Sequence, residues 1–165
     1  MTPADYLADA RRTVNPALSP RDRLWESAVG MVSESCELLV ATSQVERIDE
    51  LGDVCWYLAS LCIVADYPFT PIWMVPHPKL PSRAMASNSI LPAAGKLADH
   101  IKKHLAQGHP LDLDAYLYPL TSAILGDAWR LNRDIGQIFA ANVAKRARRY
   151  PDGFTSAASV GRKEI

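Results

Sequence analysis

The sequence predicts an all-α helical fold, on three observations. Apolar residues recur at intervals of three and four in several segments, which is the pattern of the buried face of a helix. No segment alternates apolar and polar residues convincingly enough to indicate a half-buried strand. The chain has 165 residues, of which 48% are apolar and 22% charged. It can therefore bury the core of one compact domain, and intrinsic disorder is excluded.

Two helices are predicted in the first half of the chain, residues 1–66. Ser19 and Pro20 followed by Asp22 supply a capping hydroxyl, a proline where no N–H is needed and an acid near the positive end of the helix dipole. The first helix should begin there and run to about Ala41. The second should follow it, because apolar residues then step by three and four along one stripe: Ile48, Leu51, Cys55, Leu58, Cys62 and Ala65.

A proline-rich crossover, residues 67–88, separates the two halves. Six of the twelve prolines lie between Pro68 and Pro92, in a stretch with almost no charges. We expect residues 67–87 to be ordered, because their apolar side chains are too many to be left in water. These side chains are Phe69, Ile72, Trp73, Met74 and Val75.

The second half, residues 89–150, repeats the helical plan and is followed by a tail, residues 151–165. Capping and stop signals set its expected boundaries. A helix should run from Ser89 to Ala106 with Gly108 as its stop, Asp112 or Asp114 should cap the next helix, and a last helix should run from about Asn132 to Arg149 before Pro151.

Net charge and cysteine content narrow the class of protein. Eighteen Lys and Arg balance eighteen Asp and Glu, which disfavours a general nucleic-acid coat or membrane-surface protein. No apolar stretch reaches the roughly 20 residues of a membrane span. Cys36, Cys55 and Cys62 lack CxxC spacing and lie in apolar helical segments, so we expect reduced, buried thiols. We therefore expect a cytoplasmic protein with no nucleic-acid or membrane partner.

Two pairs of carboxylates are the most informative feature. Glu34 and Glu37 are three residues apart, and so are Glu50 and Asp53 after twelve intervening residues. Carboxylates at this spacing project from the same side of a helix. Twelve residues allow the first helix to end and the second to return antiparallel, so the sequence predicts that the four carboxylates converge.

Convergence of these acids points to a metal ion. Like charges raise one another's pKa and oppose folding unless a cation joins them, and all-oxygen ligands suit Mg²⁺ or Mn²⁺, which are usually bound together with phosphates. Small residues one turn away, Gly30, Ser33 and Ala41, should leave space above the carboxylates. One pair alone would be ordinary solvated helix surface. Two pairs predict a metal and a phosphorylated ligand.

These residues resemble those of a known family. The run Glu34-x-x-Glu37, twelve residues, then Glu50-Leu-Gly-Asp53-Val-Cys-Trp56 resembles the acidic signature of the MazG-like all-α nucleoside triphosphate pyrophosphohydrolases. The segment from Asn142 to Phe154 looks like the C-terminal signature of phage members. The resemblance covers most of residues 20–160, except the proline-rich middle.

The resemblance implies a reaction, a metal and a set of site residues. Family members cleave a nucleoside triphosphate to the monophosphate and pyrophosphate, so Glu34, Glu37, Glu50 and Asp53 would hold two or three Mg²⁺ or Mn²⁺ ions. Glu37 or Glu34 would be the catalytic general base. It also implies a dNTP substrate, with dGTP first and dUTP or dCTP second, and a homodimer or homotetramer. The implied substrate-binding residues are Asn142, Lys145, Arg149, Tyr150 and Trp56.

Basic and aromatic residues supply further candidates. Asn142, Lys145 and Arg149 lie on one helical face and can contact phosphate oxygens, although a basic helix end also complements its own dipole. His100 and His104 are spaced for zinc, but solvated helix surface is the simpler interpretation. A stacking wall for the base, or else core packing, is expected from Tyr6, Trp25, Trp56 and Tyr57.

The second half of the chain lacks counterparts of the two carboxylate pairs. Residues 93–110 also resemble the surroundings of a family ExxE motif, but Ala93 and Lys96 stand where the glutamates would be. We infer two related helical halves, of which only the first keeps its acids. A degenerate half keeps open an alternative, namely a non-catalytic helical regulator that senses nucleotide.

Overall fold

The computed structural model describes residues 1–74 and 90–160, which form helices and no strand. The prediction of an all-α helical bundle is therefore confirmed for these residues. In chain order the helices are α1 (Pro3–Thr13), α2 (Pro20–Val40), α3 (Gln44–Val64), α4 (Pro71–Met74), α5 (Ile90–Gln107), α6 (Asp114–Arg130), α7 (Ile135–Arg149) and α8 (Ser156–Val160). None of these helices is long and apolar enough to cross a membrane.

A hairpin of the two longest helices, α2 and α3, forms the centre of the bundle. The Ser19 hydroxyl accepts a hydrogen bond from the Asp22 amide at the start of α2, as predicted. Ser43 and Glu46 form a capping box that starts α3 only three residues after α2 ends. So short a connection makes consecutive helices antiparallel neighbours. Helix α5 then packs against α2, and α1 and α7 pack against α3.

Aromatic side chains from distant parts of the chain meet in the core. Tyr6 of α1 stacks on Phe139 of α7 with ring centroids 4.1 Å apart, and Trp73 of α4 meets the same ring edge-on at 5.3 Å. Phe69 and Trp73 are both buried. The predicted order of the crossover is confirmed for residues 67–74, whereas residues 75–88 lie outside the described part of the chain.

Helix α1 is not among the predicted helices. Its start has a recognisable signal, since Thr2 and Asp5 form a capping box and Pro3 occupies the first helical position. One face of α1 is buried at Tyr6, Ala10 and Thr13. The helix is therefore an integral part of the bundle, and its burial comes from packing against α3 and α7.

Two boundaries in the second half need correction. Helix α7 begins at Ile135, not near Asn132, because Asn132 is in the left-handed region at φ 57° and Asp134 is the cap. Neither Asp112 nor Asp114 caps α6. The cap position is Leu113, without a side-chain hydrogen bond, and the Asp112 carboxylate instead accepts from the Asp114 amide at 3.2 Å.

Other boundaries in the second half agree with the sequence. Gly108 has φ 72° and ends α5 one residue later than expected, and α7 ends at Arg149, just before Pro151. Each half contributes a pair of consecutive packed helices, α2–α3 and α5–α6. That the two halves are related, and the division of the single domain at residues 66, 88 and 150, stay predictions.

The prediction that all three cysteines are buried is wrong for one of them. Cys55 and Cys62 are buried, as predicted, but Cys36 is exposed. It faces away from the core because its neighbours Ser35 and Leu38 occupy the buried face of α2.

Candidate metal centre

Three of the four predicted metal ligands come together in the structure. One carboxylate oxygen from each of Glu34, Glu50 and Asp53 lies within 4.8 Å of the others. The α2–α3 hairpin produces this arrangement by placing the glutamate of one helix opposite two acids of the next. Glu37 is exposed and is not part of this trio, although its charge acts on Glu34 and Glu50. We call Glu34, Glu50 and Asp53 the carboxylate trio.

The carboxylate trio is electrostatically unfavourable without a cation. Burial, followed by the charges of Asp53, Glu37 and Glu50, raises the pKa of Glu34 to about 8. Burial and the Asp53 charge also raise the pKa of Glu50, and Lys145 opposes that shift. Oxygen-only donors at this density could hold a hard divalent cation, whose charge would favour the ionised carboxylates.

Asp53 is held at both of its oxygens by α7. The Asn142 side-chain amide donates to Asp53 Oδ1 at 2.7 Å, and the Lys145 ammonium donates to Oδ2 at 2.6 Å. Lys145 also pairs with Asp49 Oδ2 at 2.7 Å. Gly52 permits this close approach, because a Cβ at that position would lie 2.8 Å from the Asn142 Cβ. The glycine of the Glu-Leu-Gly-Asp run is thus explained by helix packing.

A buried polar network supports Asn142 from behind. The side-chain oxygen of Asn142, Oδ1, accepts hydrogen bonds from the Tyr6 hydroxyl at 2.8 Å and from Arg146 Nε at 2.9 Å. Arg146 in turn donates to the Thr13 hydroxyl at 2.6 Å and pairs with Asp9 Oδ2 at 2.9 Å. The network fixes α1 and α7 around the carboxylate trio. Sequence reasoning named Tyr6 only as a stacking or core residue and missed Thr13 and Asp9 of α1, for which the capping box at the start of the helix was the available signal.

Two predicted roles change in this light. Asn142 is buried and bonded to protein groups, so here it orients Asp53 and does not face a phosphate site. Tyr6 is not a stacking wall. It is fully buried against Phe139, which confirms the alternative of core packing.

A cleft of about 90 Å³ adjoins the carboxylate trio. It combines carboxylates with aromatic and basic side chains, and three of the predicted substrate-binding residues, Trp56, Arg149 and Tyr150, line it together with Glu34 and Asp53. Trp56 is held in place because its indole N–H donates to the Thr13 hydroxyl at 3.0 Å. The cleft therefore brings acidic, basic and aromatic side chains together.

The space predicted above the carboxylates is partly filled. Gly30 lies under the Tyr57 ring, and a Cβ there would be 2.2 Å from Tyr57 Cε1. The glycine therefore accommodates an aromatic ring instead of leaving an opening. Tyr57 lines the cleft and meets the Trp56 ring edge-on at 4.8 Å.

The remaining candidates lie outside the cleft. His100 stacks on Tyr116 and its Nε2 accepts from the Asp112 amide at 3.1 Å, so it holds the loop after α5. His104 Nδ1 lies 2.6 Å from the His109 carbonyl oxygen. Trp25 is exposed on α2, away from the cleft lining.

Comparisons with known proteins do not place the chain in a family. No family model matches it, and no curated protein or solved structure gives a significant match. A functional assignment therefore rests on the carboxylate trio, the cleft and the residues that position them.

Proposed function

We propose that the protein hydrolyses a nucleoside triphosphate to the monophosphate and pyrophosphate with Mg²⁺ or Mn²⁺. The observation that supports this most strongly is the position of the carboxylate trio at a cleft that also contains Arg149 and four aromatic side chains. A solvated acidic surface has neither feature. Together they suit a metal-bound polyphosphate joined to a flat base.

The carboxylate trio would hold the cation, which supplies charge neutralisation at the phosphates and a lower pKa for the attacking water. The three oxygens lie within 4.8 Å of one another, close enough for one ion to contact all of them. Two or three ions, as the resemblance implies, need Glu37 to turn toward the trio. Glu37 otherwise remains available to accept a proton from water, and Glu34 is the alternative base.

Basic residues of α7 would bind the phosphates. Arg149 lines the cleft and offers a planar guanidinium for bidentate contact with phosphate oxygens. Lys145 pairs with Asp49 and Asp53. Once another cation neutralises those acids, its ammonium can turn to a phosphate oxygen.

Nucleotide binding requires the cleft to widen. Its volume of about 90 Å³ is below the roughly 300 Å³ of the smaller ligand pockets. Phe154 and Ser159 of the C-terminal segment are among its lining residues. We expect residues 153–160 to move outward when the base enters.

A panel of NTPs and dNTPs with Mg²⁺ tests the proposal, with products separated by ion exchange. Monophosphate and pyrophosphate are expected, and Asp53→Asn should abolish turnover. Asp66→Asn is the matched control because Asp66 is exposed just after α3 and Asn tolerates its positive φ. Release of orthophosphate would show that a different bond is cleaved. No turnover of any nucleotide by the folded protein with metal would refute the proposal.

A non-catalytic nucleotide-sensing regulator is the second candidate. It is favoured by the position of Glu37 outside the carboxylate trio and by Ala93 and Lys96 in place of acids in the second half. This candidate predicts nucleotide binding without turnover. The substrate preference of the enzyme proposal is dGTP first, with dUTP or dCTP second.

A homodimer or homotetramer is part of the proposal. Trp25 and Val29 of α2 are about half exposed, at 52% and 47%, and with Val32 they border an apolar groove next to Ala98 of α5. Such side chains are commonly covered by a partner subunit. Light scattering of the wild type and of Trp25→Ser should show a loss of assembly in the variant.

A further inference from the structure

Glu26 has a buried carboxylate oxygen that nothing in the proposed mechanism uses. Its Oε2 is shielded from solvent and has no hydrogen-bond partner among the residues that the structure describes. Buried polar atoms are nearly always hydrogen-bonded, and leaving one unpaired costs stability. The nearby guanidinium of Arg23 donates to the carbonyl oxygens of Asn15 and Leu18. Glu26 lines the cleft, so a ligand that enters when the cleft widens can supply the missing donor.

The position of Glu26 relates it to the carboxylate trio. Both Glu26 and Glu34 line the cleft, and they are eight residues apart on α2, which is about 12 Å along a helix axis. Gly30 lies midway between them, and the Tyr57 ring covers it. A ligand that reaches from the trio to Glu26 must therefore pass an aromatic ring, as a nucleotide does when its phosphates and its base occupy opposite ends of a cleft.

We propose that Glu26 recognises the base of the bound nucleotide by accepting hydrogen bonds from two adjacent N–H donors, which makes guanine the preferred base. This inference rests on the proposed function, since it assumes that the phosphates bind at the carboxylate trio. A carboxylate has two parallel acceptors and no donor when ionised. Guanine presents its ring N1–H beside its exocyclic amino group, so the two edges match in a bidentate pair.

Other common bases fit this carboxylate poorly. Adenine and cytosine each place an acceptor ring nitrogen beside their amino group, and uracil and thymine flank one N–H with two carbonyl oxygens. Each of them would bring at least one acceptor against a carboxylate oxygen. A polar site discriminates strongly against a ligand that leaves its buried groups unpaired.

The experiment compares dGTP, dITP and dATP as substrates of the wild type and of Glu26→Gln. Hypoxanthine keeps N1–H but lacks the amino group, so the wild type should use dITP about ten- to a hundredfold less efficiently than dGTP in kcat/KM. Glu26→Gln should lose most of this preference. Equal use of dGTP and dITP by the wild type would overturn the inference, and so would an unchanged preference in the variant.

Glu46→Gln is the matched control. It makes the same charge change in the exposed capping box of α3, where glutamine also fits, so its dGTP preference should equal that of the wild type. Because Oε2 of Glu26 has no partner, Glu26→Gln should melt at or above the temperature of the wild type. A melting temperature lower by several degrees would show that Glu26 is structural and would overturn the inference.

Binding without turnover separates this inference from the proposed function. Titration calorimetry with dGMP and dAMP needs no hydrolysis, and dGMP should bind at least tenfold more tightly unless Glu26 is replaced. Glu26-dependent dGMP binding by a protein that hydrolyses nothing would support the base site and refute the enzyme. Hydrolysis to pyrophosphate with the same base preference in the wild type and in Glu26→Gln would support the enzyme and refute the base site.

Discussion

The ammonium of Lys145 lies 2.6 Å from Asp53 Oδ2, so a cationic group of the chain itself stands beside the carboxylate trio. The same nitrogen is 2.7 Å from Asp49 Oδ2. Burial lowers the pKa of Lys145, but the charges of Asp53 and Asp49 and their hydrogen bonds outweigh it and raise the pKa. Lys145 thus offsets part of the repulsion among the acids when no metal is bound.

Replacement of Lys145 by alanine should destabilise the metal-free protein and increase its response to metal. Loss of a partly buried ion pair leaves Asp53 less compensated, at a cost of about 1–3 kcal/mol. Mg²⁺ or Mn²⁺ can then restore the missing charge, so the melting temperature should rise more with metal in Lys145→Ala than in the wild type. Differential scanning fluorimetry at millimolar metal measures both effects.

Lys102→Ala provides the control for that measurement. Lys102 is exposed and pairs with Asp99 on α5, so its loss should change neither the melting temperature appreciably nor the metal response. An identical metal-induced shift in Lys145→Ala and the wild type would contradict the competition between ammonium and metal. No shift in either protein at millimolar metal would count against a formed site.

Stability of the metal-free protein should depend on pH through Glu34. Its pKa is raised from 4.5 to about 8 on folding, so between these values the folded state binds more protons than the unfolded one. The stabilisation of the folded state by protonated Glu34 therefore has its full value below pH 4.5 and decreases as the pH rises to about 8. One proton gives at most about 1.4 kcal/mol per pH unit, and partial exposure reduces this.

Urea unfolding of the wild type and of Glu34→Gln between pH 5 and 8 measures this dependence. The variant should lose less stability across the range, because glutamine does not titrate. Added Mg²⁺ should flatten the profile of the wild type by stabilising the ionised carboxylate. Parallel profiles for the two metal-free proteins would contradict the assignment.

Asn142 should act through the orientation of Asp53. Asn142→Ala removes the donor to Asp53 Oδ1 and the acceptor for Tyr6 and Arg146. Loss of such a supporting group typically weakens metal binding about 10- to 100-fold. Calorimetric titration with Mn²⁺ gives the affinity directly.

Tyr6→Phe serves as the comparison for Asn142→Ala. It deletes the hydroxyl that bonds to Asn142 but leaves the amide donor to Asp53 in place. It should therefore cost stability, about 1 kcal/mol, with much less effect on Mn²⁺ affinity. Equal losses of affinity in the two variants would argue that Asn142 acts through general stability.

A thiol reagent should modify one cysteine quickly and the other two only on unfolding. Cys36 is exposed, whereas Cys55 and Cys62 are buried. Burial raises the pKa of Cys62 to about 12 and, together with the Asp53 charge, raises that of Cys55 further. Reaction with Ellman's reagent should give one fast thiol in the wild type and none in Cys36→Ser. Three fast thiols would contradict the described packing.

Much of the fold could be predicted from local signals. The helix starts at Ser19 and Ser43 depend on hydroxyls and acids within three residues, and the stop at Gly108 depends on one positive φ. The partners in these interactions are only a few residues apart, so a short sequence pattern is enough to predict them. Boundaries failed at Asn132 and Leu113. Asn132 belongs to the turn that ends α6, where the Arg133 amide donates to the Ala128 carbonyl oxygen, and Leu113 begins α6 without a side-chain cap.

The sequence by itself determined that this protein is helical and that two carboxylate pairs lie on consecutive helices, because helical periodicity fixes which side chains share a face. Only the tertiary structure decided which carboxylates meet. The rotation of α2 against α3 brings Glu34 to Glu50 and Asp53 and leaves Glu37 exposed. Long-range packing also aimed Asn142 at Asp53, 89 residues away. Such contacts depend on how helices dock, which no short sequence pattern encodes.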